Sequence, residues 1–181
     1  MDHDDHVNLL RPANLPQGGT YADFGAGGGA FTLALRELIG PDGKVYAVDN
    51  DRRSLNELEA NYQARFNTTR NLILLKDDFT LSMTIPPLDG IVMANSLHFF
   101  KDKEKILHHV RGYLKPKGVL LLVEYNVDVG NMWVPYPVSF NVCRVLVKRA
   151  GFTEPKLLAK APSRFLQEFY SAAASKAGQE K

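Results

Sequence analysis

The segment Asp23-Phe24-Gly25-Ala26-Gly27-Gly28-Gly29-Ala30 constrains this chain more than any other. It is entered from Thr20–Phe24, a short and mostly apolar run. It is left through Phe31-Thr32-Leu33-Ala34-Leu35-Arg36-Glu37-Leu38-Ile39, whose apolar residues recur at helical spacing. Strand, glycine turn and helix in immediate succession bring bare backbone and a helix N-terminus to one point. Glycine permits positive φ and carries no Cβ. The first N–H groups of the helix are unpaired and partly positive, which suits an anionic group. The pattern predicts a nucleotide-like cofactor site at the end of the first strand.

The rest of the chain repeats the alternation. Gly40-Pro41-Asp42-Gly43 stops the first helix, and Lys44–Asp49 is a second strand. Asp51 then caps a helix with Leu55, Leu58, Tyr62 and Phe66 on one face. Asn71–Lys76 and Leu88–Ala94 are the third and fourth strands. Asp102 caps a helix over 103–114, and Lys115-Pro116-Lys117-Gly118 turns the chain into a fifth strand, Val119–Glu124. The fifth strand is apolar without alternation, as in a parallel sheet covered on both faces. Residues 126–138 form a loop rich in aromatic residues and proline. A helix over 140–150, closed by Gly151, and strands over 153–159 and 164–172 complete the pattern.

Alternating strands and helices predict an open α/β sheet with right-handed crossovers, whose ligand sits beyond the carboxyl ends of the strands. Three segments are expected: a short polar N-terminal extension or cap over 1–19, one cofactor-binding domain over 20–174, and a flexible tail over 175–181. A short helix near Val7–Arg11 is expected within an otherwise frayed terminus, where His3 and His6 lie beside three aspartates as solvated residues rather than metal ligands. The formal net charge of +2 gives no footprint for nucleic acid. No stretch is long and apolar enough for a membrane span, the acidic start is unlike a signal peptide, and the single cysteine, Cys143, forbids an internal disulfide. These features suggest a cytoplasmic location.

The glycine turn by itself leaves two cofactors open. Gly25, Gly27 and Ala30 satisfy the dinucleotide spacing, and Asp49 stands where a ribose-binding acid belongs. Three details pull away from NAD. Asp23 puts an acid two residues before the first glycine. Asp77-Asp78-Phe79 puts another at the end of the third strand, within reach of an adenine amino group. The sheet pattern is followed by no stretch long enough for a substrate domain.

At these residues the chain resembles the class I S-adenosylmethionine-dependent methyltransferases, over about residues 18–172. Asp23-Phe24-Gly25-Ala26-Gly27-Gly28-Gly29 is similar to the family's D-x-G-x-G-x-G motif. Val45–Asp49 resembles its second strand and ribose-binding acid, and Asp78-Phe79 its adenine-holding pair. Asn95-Ser96-Leu97-His98, Leu114–Gly118 and Ala150-Gly151-Phe152 are similar to its later signposts. The resemblance implies a Rossmann-like three-layer sandwich with a seven-stranded, mostly parallel sheet in the order 3-2-1-4-5-7-6, strand seven antiparallel. It implies that S-adenosylmethionine is bound, giving S-adenosylhomocysteine as product. Asp23, Phe24, Gly25, Ala26 and Gly27 would line the methionine end. Asp49 would take the ribose hydroxyls, and Asn50 would pack beside adenine. Asp78, or Asp77 in another register, would accept from the adenine amino group, Phe79 N–H would donate to the ring, and Asn95 would close the pocket.

Methyl transfer needs a base only where the acceptor must lose a proton. His98, just past the fourth strand, and Glu124, at the end of the fifth, are the candidate bases. Trp133 and Tyr136 are candidates for a lid or for apolar cover of the sheet. The absence of an Asn/Asp-Pro-Pro-Tyr-like motif, of a cysteine pair and of a basic module points to a small-molecule acceptor. With few residues before the first strand, the cap is expected to be open or completed by a second subunit of a homo-oligomer. An NAD-dependent oxidoreductase and a non-catalytic S-adenosylmethionine-binding module are the alternatives.

Overall fold

The computed structural model describes residues 1–178. Helix α1 (His3–Leu10) leads through a 3₁₀ turn (Arg11–Ala13) into β1 (Thr20–Phe24), α2 (Ala30–Ile39), β2 (Lys44–Asp49), α3 (Arg52–Phe66) and β3 (Leu72–Lys76). There follow β4 (Leu88–Ala94), α4 (Lys103–Arg111), β5 (Leu114–Tyr125), α5 (Phe140–Arg149), β6 (Lys156–Pro162) and β7 (Glu168–Ser175). The seven strands form one sheet in the order β3-β2-β1-β4-β5-β7-β6. Strands β1 to β5 pair in parallel, and β7 runs antiparallel between β5 and β6.

Side chains alternate between the two faces of the sheet and so define its layers. Tyr21, Val45, Val92, Leu121 and Val123 face α1 and α2, while Ala22, Phe24, Ile91, Met93, Leu120 and Leu122 face α4 and α5. Ala47 and Leu74 carry the first face onward to Leu55 and Leu58 of α3. The order of strands reverses between β1 and β4, so the crevice above their carboxyl ends is the natural ligand position. No helix among the described residues is long and apolar enough to cross a membrane.

The N-terminus differs from expectation. It is a capped helix rather than a frayed tail: Asp2 accepts from the Asp5 backbone N–H while Asp5 accepts from that of Asp2. Val7, Leu9 and Leu10 are buried against α2 and the outer strands, and the Ser171 hydroxyl donates to the Leu9 carbonyl at 2.6 Å. The N-terminal helix is therefore seated on the sheet of its own chain.

The last two strands start about three residues later than expected. Ser163 accepts from the backbone of Phe165 and Leu166, and Gln167 takes φ +49° and accepts from Ser163 N. Arg164-Phe165-Leu166, apolar enough to suggest a strand, is thereby made the turn. Helix α4 ends at Arg111, and Leu114 already pairs with Leu88 as the first residue of β5. Strand β7 continues to Ser175, where the tail was expected to begin, and Lys176 N donates to Gly118 O. Residues 179–181 of that expected tail lie outside the described residues.

Candidate functional site

The glycine turn is tied to the neighbouring strand. Gly25 N and Ala26 N both donate to Val48 O, at 2.9 and 3.0 Å. Gly25 has φ +80°, and a Cβ there would stand 2.7 Å from Cβ of Ser96. Gly27, at φ +51°, would project a Cβ into open space. The first position is closed to any side chain by the segment after β4, and the second keeps the backbone bare toward a ligand.

Two cavities meet at this turn and share Gly25, Gly27 and Asn95 in their walls. The smaller, about 480 Å³, runs along the ends of β2 and β3, between Asp49, Asp77 and Asp78 on one side and Phe79, Phe99 and Phe100 on the other. The larger, about 830 Å³, lies between α1, the glycine turn and α3, with Asp23 in its wall.

Each carboxylate has a distinct state. Asp49 at the end of β2 accepts Gly27 N through Oδ2 at 2.8 Å and Asp51 N through Oδ1 at 2.9 Å. It thus holds the glycine turn and the start of α3, with one lone pair on each oxygen left for a ligand. Asp78 spends Oδ1 on the backbone and hydroxyl of Thr80, and Asp77 spends Oδ1 on Asp78 N. Each keeps its second oxygen, and both line the smaller cavity. Asp23 is 1% exposed; Oδ2 accepts from the Thr32 hydroxyl at 2.7 Å and Oδ1 has no partner. Burial, and secondarily the charge of Asp49, push its carboxyl up to about 7, against the opposing Thr32 hydrogen bond.

That shift has a testable sign. The unfolded carboxyl titrates near 3.8, so the stability contributed by its protonated form is complete below that pH and is lost as pH rises through about 7. Asp23→Asn is expected to remove this loss, leaving the unliganded protein on the order of 4 kcal/mol more stable at pH 8 relative to the native chain, with little difference at pH 4. Urea unfolding of both proteins at the two pH values measures it; parallel pH profiles would show that Asp23 titrates normally.

Asn95, at φ +51°, lines both cavities; its Oδ1 is buried without a partner, as is Ser96 Oγ. Asn50 borders the smaller cavity and Ala26 the larger. Phe24, grouped with the glycine turn from sequence, is instead a core residue: its side chain is fully buried, stacked on Phe79 at 5.5 Å and edge-on to Tyr113. Strand alternation turns it away from the face that carries Asp23.

The two candidate bases are also placed differently from expectation. His98 Nδ1 lies 2.7 Å from Oε2 of Glu124, whose Oε1 accepts from the backbone of Leu97 and His98. The residues are 3% and 0% exposed, and neither lines either cavity. They are spent on each other because β4 and β5 are adjacent and end side by side. The aromatic loop divides in function: Val134 and Val138 are the apolar cover, while Met132 and Trp133 face solvent. Tyr136 N donates to His98 O, and the Lys103 ammonium sits 5.4 Å from the Tyr136 ring centre.

A family model described as a methyltransferase domain matches residues 22–120, more than half of the chain. The chain belongs to the class I S-adenosylmethionine-dependent methyltransferase family. Among curated proteins it is 31% identical over 110 residues to a carboxy-S-adenosyl-L-methionine synthase from Shewanella amazonensis, covering 59% of this chain and 44% of that one. It is 26% identical over 119 residues to a demethylmenaquinone methyltransferase from Geobacillus stearothermophilus, covering 65% and 50%. The chain thus spans about half the length of the curated relatives it matches. A solved S-adenosylmethionine-dependent methyltransferase from Aquifex aeolicus shares the fold with a TM-score of 0.72 at 19% identity, covering 98% of this chain and all of that one.

The residues present fit the family's cofactor. The smaller cavity offers acids for ribose hydroxyls and an amino group beside aromatic rings for a base. The larger offers unpartnered acceptors, Asp23 Oδ1 and Asn95 Oδ1, for an ammonium, and the N-terminus of α2 for a carboxylate. A buried carboxylate at the glycine turn is unsuited to the pyrophosphate of a dinucleotide.

Proposed function

We propose that this chain transfers a methyl group from S-adenosylmethionine to a small-molecule acceptor by in-line displacement. One observation carries the reading: acids at the ends of three neighbouring strands converge on a glycine turn, and the innermost, Asp23, keeps an unpartnered oxygen in the wall of the cavity. Relatives named as methyltransferases of small biosynthetic compounds support the acceptor class. The bound cofactor supplies an electrophilic methyl on sulfonium. The chain's own residues hold and orient: Asp49 takes the ribose hydroxyls, Asp78 or Asp77 the adenine amino group, Phe79 N–H a ring nitrogen, and Asp23 the ammonium. Asn95 closes the seam between the two cavities, where the reacting carbon would lie shielded from water.

Calorimetry with S-adenosylmethionine, S-adenosylhomocysteine and NAD tests the reading. The first two are expected to bind and NAD not. Because an ammonium would draw the Asp23 carboxyl down from about 7, binding near pH 7 is expected to release protons, seen as a dependence of heat on buffer ionisation enthalpy. No binding of either sulfur ligand would sink the proposal.

One observation favours a second reading, a cofactor-binding module without turnover: the two bases expected from sequence lie outside the cavities. Screening an acceptor panel for S-adenosylhomocysteine release separates the two.

A further inference from the structure

With His98 sequestered, the larger cavity still contains an imidazole. Of the chain's five histidines, His3 is bonded to Glu37, His98 to Glu124, and His109 to Leu81 O and Tyr113, while His108 is exposed on α4. His6 differs. It is half-buried on the inner side of α1, in the wall that also holds Asp23, Gly25 and Asn95. Its ring stands edge-on to Phe31, in the first turn of α2, at 4.9 Å between centres. Among the described residues no hydrogen bond engages its ring nitrogens. A supported, unpartnered imidazole beside the glycine turn is placed to meet a second ligand.

We propose that the acceptor occupies the part of the larger cavity between α1 and α3, beyond the atoms that would hold the cofactor's amino-acid end, and that His6 is the base that receives the acceptor's proton. The proposal rests on the methyl-transfer reading above. The acceptor is a compact molecule whose oxygen or nitrogen nucleophile still carries a proton. The apolar floor from Phe31, Leu33 and Ala94 would hold its body, and the rim of Asp2, Glu57 and Arg65 its polar end. As the nucleophile's bond to the methyl carbon forms, the carbon–sulfur bond breaks and its electron pair stays on sulfur. The nucleophile's proton passes to His6, which later returns it to water.

Electrostatics suit a base rather than an acid. Burial, and next the chain's amino terminus, hold the imidazole below 6.5; His3 acts in the same direction, and Asp5 and Asp2 oppose it. The neutral form therefore dominates at pH 7.

The reacting atom supplies its own probe, because S-adenosylmethionine carries a positive sulfur and S-adenosylhomocysteine a neutral one. An imidazole about 7 Å from that atom senses a full unit of charge, so His6 is expected to titrate about one pH unit lower with the former bound. Proton NMR of the ring C2–H resonances against pH, with each ligand saturating, reads the difference; His6→Gln assigns the His6 signal. His6→Gln is expected to keep cofactor affinity within about threefold. Equal midpoints with both ligands bound would overturn the proposal by placing His6 out of reach of the methyl. So would a loss of cofactor affinity of about tenfold or more in His6→Gln, which would make His6 a grip on the cofactor. If calorimetry shows that neither ligand binds the native chain, the methyl-transfer reading itself has failed.

Discussion

Asp49→Ala is expected to weaken S-adenosylmethionine binding by about a hundredfold, through loss of roughly 3 kcal/mol of charge-assisted hydrogen bonding. Two losses combine. On the proposed reading, the ribose hydroxyls would lose a carboxylate that offers one lone pair per oxygen. The glycine turn loses the acceptor for Gly27 N, and α3 loses that for Asp51 N, so the surface that meets the ligand is no longer fixed. Asp49→Asn separates the two effects, since its amide oxygen still accepts from Gly27 N while the nitrogen cannot accept a hydroxyl proton. About tenfold weakening is expected there. Isothermal titration of the three proteins measures both steps, and an alanine variant with native affinity would remove Asp49 from the site.

Glu124→Ala is expected to destabilise the fold by about 3–5 kcal/mol. The carboxylate is wholly buried and accepts from three donors: Leu97 N, His98 N and, at 2.7 Å, His98 Nδ1. Alanine would strand all three inside the core and free the segment after β4 that forms one wall of the smaller cavity. Glutamine tests the cause. Its oxygen can take the two backbone donors, and its amide can donate to Nδ1 of the other imidazole tautomer, so a cost of about 1–2 kcal/mol is expected. Urea unfolding compares the variants; equal costs for alanine and glutamine would show that charge rather than hydrogen-bond geometry is at stake.

Legibility in the sequence followed how local each cause is. The strands β1 to β4, the glycine turn and the Asp51 cap are written in neighbouring residues, and they stand where the residue pattern puts them. The order of the sheet came from resemblance to a family, since no local signal tells β7 to insert between β5 and β6. Helix α1 was harder to see. Its Asp2/Asp5 cap is readable in principle, but its apolar residues are few, and what makes it a helix is the surface of α2 and β7 waiting for Val7, Leu9 and Leu10. For the same reason the sequence pattern places His6 in a polar tail. Phe24 and Asp23 are adjacent in sequence and on opposite faces of the sheet, a distinction that motif matching erases and strand alternation restores. His98 and Glu124, 26 residues apart, were each reasonable bases alone; only the pairing of β4 with β5 brings them together and takes both out of play.

The bond from Ser171 to the carbonyl of Leu9 joins residues 162 positions apart. It means that α1, which lines the larger cavity, is made well before the strand that supports it. The glycine turn can form once β1, α2 and β2 have emerged, yet α1 has no complete seat until β6 and β7 join the sheet. A chain still under synthesis therefore presents the glycine turn before α1 is fully seated beside it, and the larger cavity takes its shape in one of the later long-range events of folding.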